Sequence, residues 1–153
     1  VFSPDMITLT LMLLGVSGIL ASLIFSRTYG RHRFVLLRLT LVIVSAALLL
    51  WQAAAVSLPT MLLLCIIIGT AATLYNTVFQ AEILHIAPKA ATTVAMSIYS
   101  GIFNLGIGSG TYLGALATDS GHLAHIGCIG AAIAAIAALL CWTVYLPAVR
   151  ERG

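Results

Sequence analysis

Polar residues divide the chain into five apolar stretches, at residues 6–26, 34–54, 60–84, 92–118 and 126–146. Each has about the twenty residues that a helix needs to cross roughly 30 Å of hydrocarbon. None alternates apolar and polar positions as a half-buried strand would. The pattern predicts an all-α integral membrane protein of five transmembrane helices. Pro4 and Asp5 suit the start of the first helix, while Pro88 stops the third and Pro147 ends the fifth. In the first connection, Arg27-Thr-Tyr-Gly-Arg-His-Arg33, Gly30 is available for a turn conformation that other residues resist. Residues 55–59 make a short uncharged connection, with Trp51 at headgroup depth before it. Short connections make consecutive helices antiparallel neighbours in one bundle.

Charge orients this bundle. Of the seven Lys and Arg residues, Arg27, Arg31, Arg33 and Arg38 lie in or beside the first connection, Lys89 lies in the third, and Arg150 and Arg152 follow the fifth stretch. The second and fourth connections have none. Cytoplasmic loops carry the Lys/Arg excess, so the N-terminus is expected outside and the C-terminus in the cytoplasm. An outside start at Val1 with an odd number of spans predicts a fragment, preceded in its parent by an odd number of spans. The chain is 61% hydrophobic and 7% charged, against about 25% charged in soluble domains. The expected partner is therefore the lipid bilayer. Nucleic acid is not expected, because the basic residues sit at span ends rather than on one extended face.

Reactive side chains are sparse. Cys65, Cys128 and Cys141 lie inside apolar stretches and read as packing residues rather than a disulfide framework. His122 and His125 have only Asp119 nearby, so no metal site is expected. No nucleophile elbow, zinc-protease motif or phosphate loop occurs, and the Gly-rich run at Gly106 to Gly110 lies inside a span. Neither an enzyme nor a cofactor is expected.

Polar groups inside a bilayer are costly and usually face the bundle interior. At 100° per residue, Ser97, Ser100, Asn104 and Thr111 fall within about 60° of one another. Gly106, Gly110 and Gly114 lie on the roughly opposite side, where small residues let another backbone approach. In the third stretch Gly69, Thr73, Asn76 and Gln80 share a face about as narrow, with Tyr75 to one side. Asn and Gln amides both donate and accept, which suits a hydroxyl-rich solute; the competing reading is interhelical hydrogen bonding. Gln80, near the cytoplasmic end, reads as a gate residue or as interhelical glue rather than as a direct solute contact. Glu82, the only acid within a span, is expected near the water boundary, paired with Lys89 or an arginine of the first connection.

Two segments carry a family resemblance. Ala87-Pro88-Lys89, then Val94-Ala95-Met96-Ser97, then Ser100-Gly101-Ile102-Phe103-Asn104-Leu105-Gly106-Ile107-Gly108-Ser109-Gly110 and Leu113-Gly114 resemble the C-terminal half of a major facilitator superfamily transporter of the drug/proton antiporter type. Within that type the chain is most similar to bacterial sugar exporters of the arabinose efflux kind. Gly18, Arg27, Gly30, Arg31 and Arg33 resemble a degenerate copy of the superfamily's basic cytoplasmic turn, with Ser26 where an Asp often stands. The resemblance implies the C-terminal part of a twelve-helix fold in the bacterial inner membrane, with these stretches as spans eight to twelve. It implies secondary active efflux of a small polar solute, sugar or sugar-like, by proton antiport, with the missing N-terminal half supplying the other wall of the pathway. The pathway residues would be Asn104, Asn76, Thr73, Ser97, Ser100, Thr111 and Tyr75. Arg27, Gly30, Arg31, Arg33, Gln80 and Glu82 would form the cytoplasmic gate or turn, and Gly106, Gly110 and Gly114 would pack against a neighbour. Tyr75, Tyr99, Phe103 and Tyr112 keep multidrug efflux open as an alternative. A non-transporting membrane scaffold would use the same small-residue faces for protein contacts.

Overall fold

The computed structural model describes the backbone at residues 4–54, 57–119, 121, 126–145 and 147, and the side chains of the same residues except 4–7 and 51–54. His122, His125, Arg150 and Arg152 lie outside the described residues, as does the side chain of Trp51. The helices are α1 (Pro4–Ala54), α2 (Leu58–Ile86), α3 (Thr92–Asp119) and α4 (Ile126–Leu140), the last continuing into a π-helical turn at Cys141–Tyr145.

The first two expected spans run together in α1. At 51 residues a continuous helix would be about 75 Å long, far more than a bilayer is thick. It is instead two helices meeting at His32, whose φ of −138° and ψ of 36° are not helical. The break thus falls two residues after Gly30. Gly30 itself does not take a left-handed conformation; among the described residues the one positive φ is at Gly121, +74°. A Gly30 turn is therefore corrected to a kink at His32. Three described stretches are long and apolar enough to cross a membrane: Thr8–Leu50 within α1, Leu58–Ile86, and Ile126–Tyr145. α3 has the length, at 28 residues, but its glycines, serines, threonines and Asn104 dilute its apolar character.

The ends of these helices follow local chemistry. At the start of α2 the Ser57 hydroxyl hydrogen-bonds that of Thr60, and the Ser57 carbonyl accepts the Met61 N–H at 3.1 Å, the work of an N-cap residue. α2 stops before Pro88, which cannot continue the hydrogen-bond ladder. Across the turn the Pro88 carbonyl accepts the Ala91 N–H at 2.8 Å and the Thr92 hydroxyl at 3.1 Å. After α3 the Gly121 N–H returns to the Thr118 carbonyl at 3.1 Å, and its positive φ is one that glycine adopts without a Cβ clash.

The described residues up to Val78 and from Gly127 onward form one compact unit; those from Phe79 to Ile126 form a second. The core of the first unit is where the two halves of α1, α2 and α4 meet. Leu41 packs with Ala138 and Cys141, flanked by Phe34, Tyr75 and Tyr145. Ala47 packs with Leu64 and Ile68. As the second half of α1 advances from Leu41 to Ala47, its α2 neighbours retreat from Tyr75 to Leu64, so the two run antiparallel. Leu48 approaches Gly130 of α4 to within 3.4 Å of where a Cβ would stand, again antiparallel. The first half of α1 reaches α2 at Gly69, where an added Cβ would meet the Ser17 hydroxyl at 2.9 Å and a Leu14 methyl at 3.0 Å. In the second unit α3 has no buried residue.

Candidate functional site

Several polar residues of α3 bond back into their own helix. Ser97 donates to the Thr93 carbonyl at 2.9 Å, Thr111 to Ile107 at 2.8 Å, and Thr118 to Gly114 at 2.9 Å. The Asn104 amide nitrogen donates to the Ser100 carbonyl at 2.8 Å, which leaves the acceptor capacity of its side-chain carbonyl unused by that bond. Each bond reaches back one helical turn, the pattern that lets a hydroxyl lie in an apolar helix without a partner elsewhere. Ser97, Ser100, Asn104 and Thr111 are all exposed. They form one polar strip along α3, open to whatever stands beside it.

The other side of α3 is built differently. A Cβ added at Gly106, Gly110 or Gly114 would meet nothing within 4 Å, so that face is smooth and uncovered. One turn earlier on the same side, Tyr99 and Phe103 stack with ring centroids 5.9 Å apart at 21°.

On α2 the expected strip divides. Gly69 is part of the contact with Ser17 and Leu14 rather than open wall. Thr73, Asn76 and Gln80 are half-buried, and the Thr73 carbonyl accepts the Thr77 hydroxyl at 2.9 Å. The Tyr75 ring packs against the Leu41, Ala138 and Cys141 cluster, which gives it a place in the core. Thr73, Tyr75 and Asn76 belong to the first compact unit; Gln80, Glu82 and the α3 strip belong to the second.

Glu82, expected near the water boundary, is fully buried at 0% exposure, whereas Lys89 is exposed. Position near a span's end does not register burial, which depends on neighbours. In the kink of α1, Arg27, Gly30 and Arg31 are exposed and Arg33 is half-buried. The Arg33 guanidinium lies 4.6 Å from the centre of the Phe34 ring, a cation–π distance.

Several buried hydroxyls escaped the reading of the sequence. Ser17 and Thr40 are fully enclosed, at 0% and 2% exposure. Ser17 donates to Leu13 and Thr40 to Leu36, both at 2.8 Å. The Thr70 hydroxyl is buried and has no hydrogen-bond partner among the described residues. Spacing does carry a signal for these: Thr10 and Ser17, Arg33 and Thr40, and Thr70 and Thr77 each lie seven residues apart, about 20° around the helix.

Comparison with known proteins places the chain. The family described as the Major Facilitator Superfamily matches residues 2–153. A protein of Pasteurella multocida (strain Pm70), named a probable sugar efflux transporter, is 43% identical over 127 residues, which are 82% of this chain and 31% of that protein. A protein of the same name from Haemophilus influenzae (strain 86-028NP) is 40% identical over 126 residues, 81% of this chain and 31% of that protein. The chain spans about a third of the length of these relatives.

Proposed function

The chain belongs to the major facilitator superfamily, and on that premise we propose that it forms one wall of the pathway in a secondary transporter that exports a small polar solute, sugar or sugar-like, by proton antiport. The observation that carries the reading is the exposed strip of Ser97, Ser100, Asn104 and Thr111 on α3. It offers hydroxyl oxygens and an exposed amide at helical spacing, groups that match the hydroxyls of a sugar and supply no fixed charge. Asn76 and Thr73 on α2, in the other compact unit, carry the same chemistry by themselves. The remaining helices of the transporter form the opposite wall, and the two sides rock about the bound solute. Gln80 and Glu82 are assigned to a cytoplasmic gate; the basic kink of α1, in the other compact unit, is read by itself as a cytoplasmic turn. The names of the two relatives support the choice of sugar over other polar solutes.

The test is efflux of labelled arabinose from cells making the whole protein, with and without a protonophore. Protonophore-sensitive efflux is expected, and Asn104→Ala is expected to slow it about tenfold, the value of one or two hydrogen bonds to the solute. Sugar retention equal to that of cells lacking the protein would overturn the sugar assignment. Aromatic drugs are the second substrate class to test, although the Tyr99–Phe103 stack lies on the glycine side of α3 and not on the strip. If neither class moves and Asn104→Ala is silent in every solute assay, the scaffold reading stands instead.

A further inference from the structure

The buried face of α2 ends on an acid. Ala71, Leu74, Val78 and Glu82 follow one another at steps of three and four residues, the spacing of one helix face, and all four are buried. Beyond Glu82 the enclosure stops within one turn: Leu84, His85 and Ile86 are exposed, and α2 ends at Ile86. Glu82 is thus the last enclosed residue of the helix, about 6 Å from its end.

A seal that stays shut is made of side chains that gain by leaving water, as Ala71, Leu74 and Val78 do. A carboxyl group has no such gain. It gives up its hydration on enclosure, and a partner enclosed with it gives up its own as well. That free energy is returned when the end of the seal opens and water reaches the group. An acid at the last enclosed position therefore favours parting of the seal, where a leucine or valine would hold it shut.

We propose that the Lys89 end of α2 is a seal that parts during transport, and that Glu82, by regaining water, lowers the barrier to its parting. This rests on the reading of Gln80 and Glu82 as a cytoplasmic gate and adds what the acid does there. Glu82 acts on the opening step and does not touch the solute.

The experiment follows Glu82 itself in the whole protein, reconstituted in vesicles with a water-soluble carbodiimide and an amine on both sides. Mass spectrometry reads the modified carboxyl groups, and Asp119, which is exposed, is the reference. Without solute, Glu82 is expected to react about tenfold more slowly than Asp119, as an enclosed group does. With arabinose on both sides, exchange keeps the protein cycling, and Glu82 is expected to react about tenfold faster than without it while Asp119 keeps its rate. Glu82→Leu is expected to lower the maximal rate of arabinose exchange about tenfold at an unchanged half-saturating concentration, and Glu82→Gln, whose amide also regains water, to restore most of it. If arabinose exchanges while Glu82 reacts at one rate with and without it, the proposal falls and the transport reading stands. Equal losses in Glu82→Leu and Glu82→Gln would also overturn it, by making the enclosed contacts of the acid, not its hydration, the requirement. If arabinose does not exchange, the sugar assignment fails, and the same pair of rates is read with an aromatic drug; a Glu82 rate that neither solute changes overturns the seal too.

Discussion

At position 69 the chain has room for a hydrogen atom and little more. A methyl there would meet Ser17 and Leu14 of α1 at 2.9–3.0 Å, and forcing a side chain into packed space costs about 1–3 kcal/mol. At Gly18 a methyl meets nothing within 4 Å, and replacing a helical glycine by alanine gains up to about 1 kcal/mol. Gly69→Ala is therefore expected to lower the thermal midpoint of the purified protein and Gly18→Ala to raise it. Thr70 invites the reverse of the usual core mutation. Its buried hydroxyl has no partner, and an unmet buried donor costs about 1–3 kcal/mol. Thr70→Val keeps the shape and is expected to leave the midpoint unchanged or higher, whereas Thr40→Val removes a hydroxyl that bonds the Leu36 carbonyl and brings no such gain. A fall on Thr70→Val as large as that on Leu37→Ala, which empties a fully buried position, would show that the hydroxyl is satisfied.

Among the elements α3 stands apart, with a polar strip, a glycine face and no buried residue. If that glycine face receives a helix of the remaining transporter, Gly110→Leu costs about 1–3 kcal/mol of packing in the whole protein, although a Cβ there meets nothing within 4 Å among the described residues. Thermal unfolding of the whole protein reads this directly, with Ile107→Leu as the control expected to leave the midpoint in place. The helical architecture was legible because lengths near twenty apolar residues have few other uses, and the Pro88 turn because proline ends a helix in any context. The kink at His32 was not, since Gly30 was the residue with conformational freedom and the break fell elsewhere. The polar strip followed from the 100° rule applied to Ser97, Ser100, Asn104 and Thr111. The burial of Glu82, the meeting of Ser17 with Gly69 and the place of Tyr75 in the core did not follow, because each joins residues that spacing along one helix cannot relate.

For the whole molecule, the distribution of Lys and Arg predicts which ends face the cytoplasm. Replacing Arg31, Ser57 and Lys89 in turn by cysteine, in a background lacking Cys65, Cys128 and Cys141, turns that into an accessibility measurement. An impermeant maleimide is expected to label position 57 in intact cells and positions 31 and 89 only after permeabilisation. Labelling of 31 and 57 from the same side would undo the orientation. Alternating access also sets a physical demand on any wall of the pathway: its surroundings change from water to solute to neighbouring helix within one cycle. The hydroxyls of Ser97, Thr111 and Thr118 and the amide of Asn104 bond backward into their own helix. No polar hydrogen in those bonds is stranded when the medium beside the helix is exchanged. If α3 lines the pathway as proposed, such a surface adds little to the barrier for emptying or refilling the cavity, and leaves the solute to set the difference between the loaded and unloaded states.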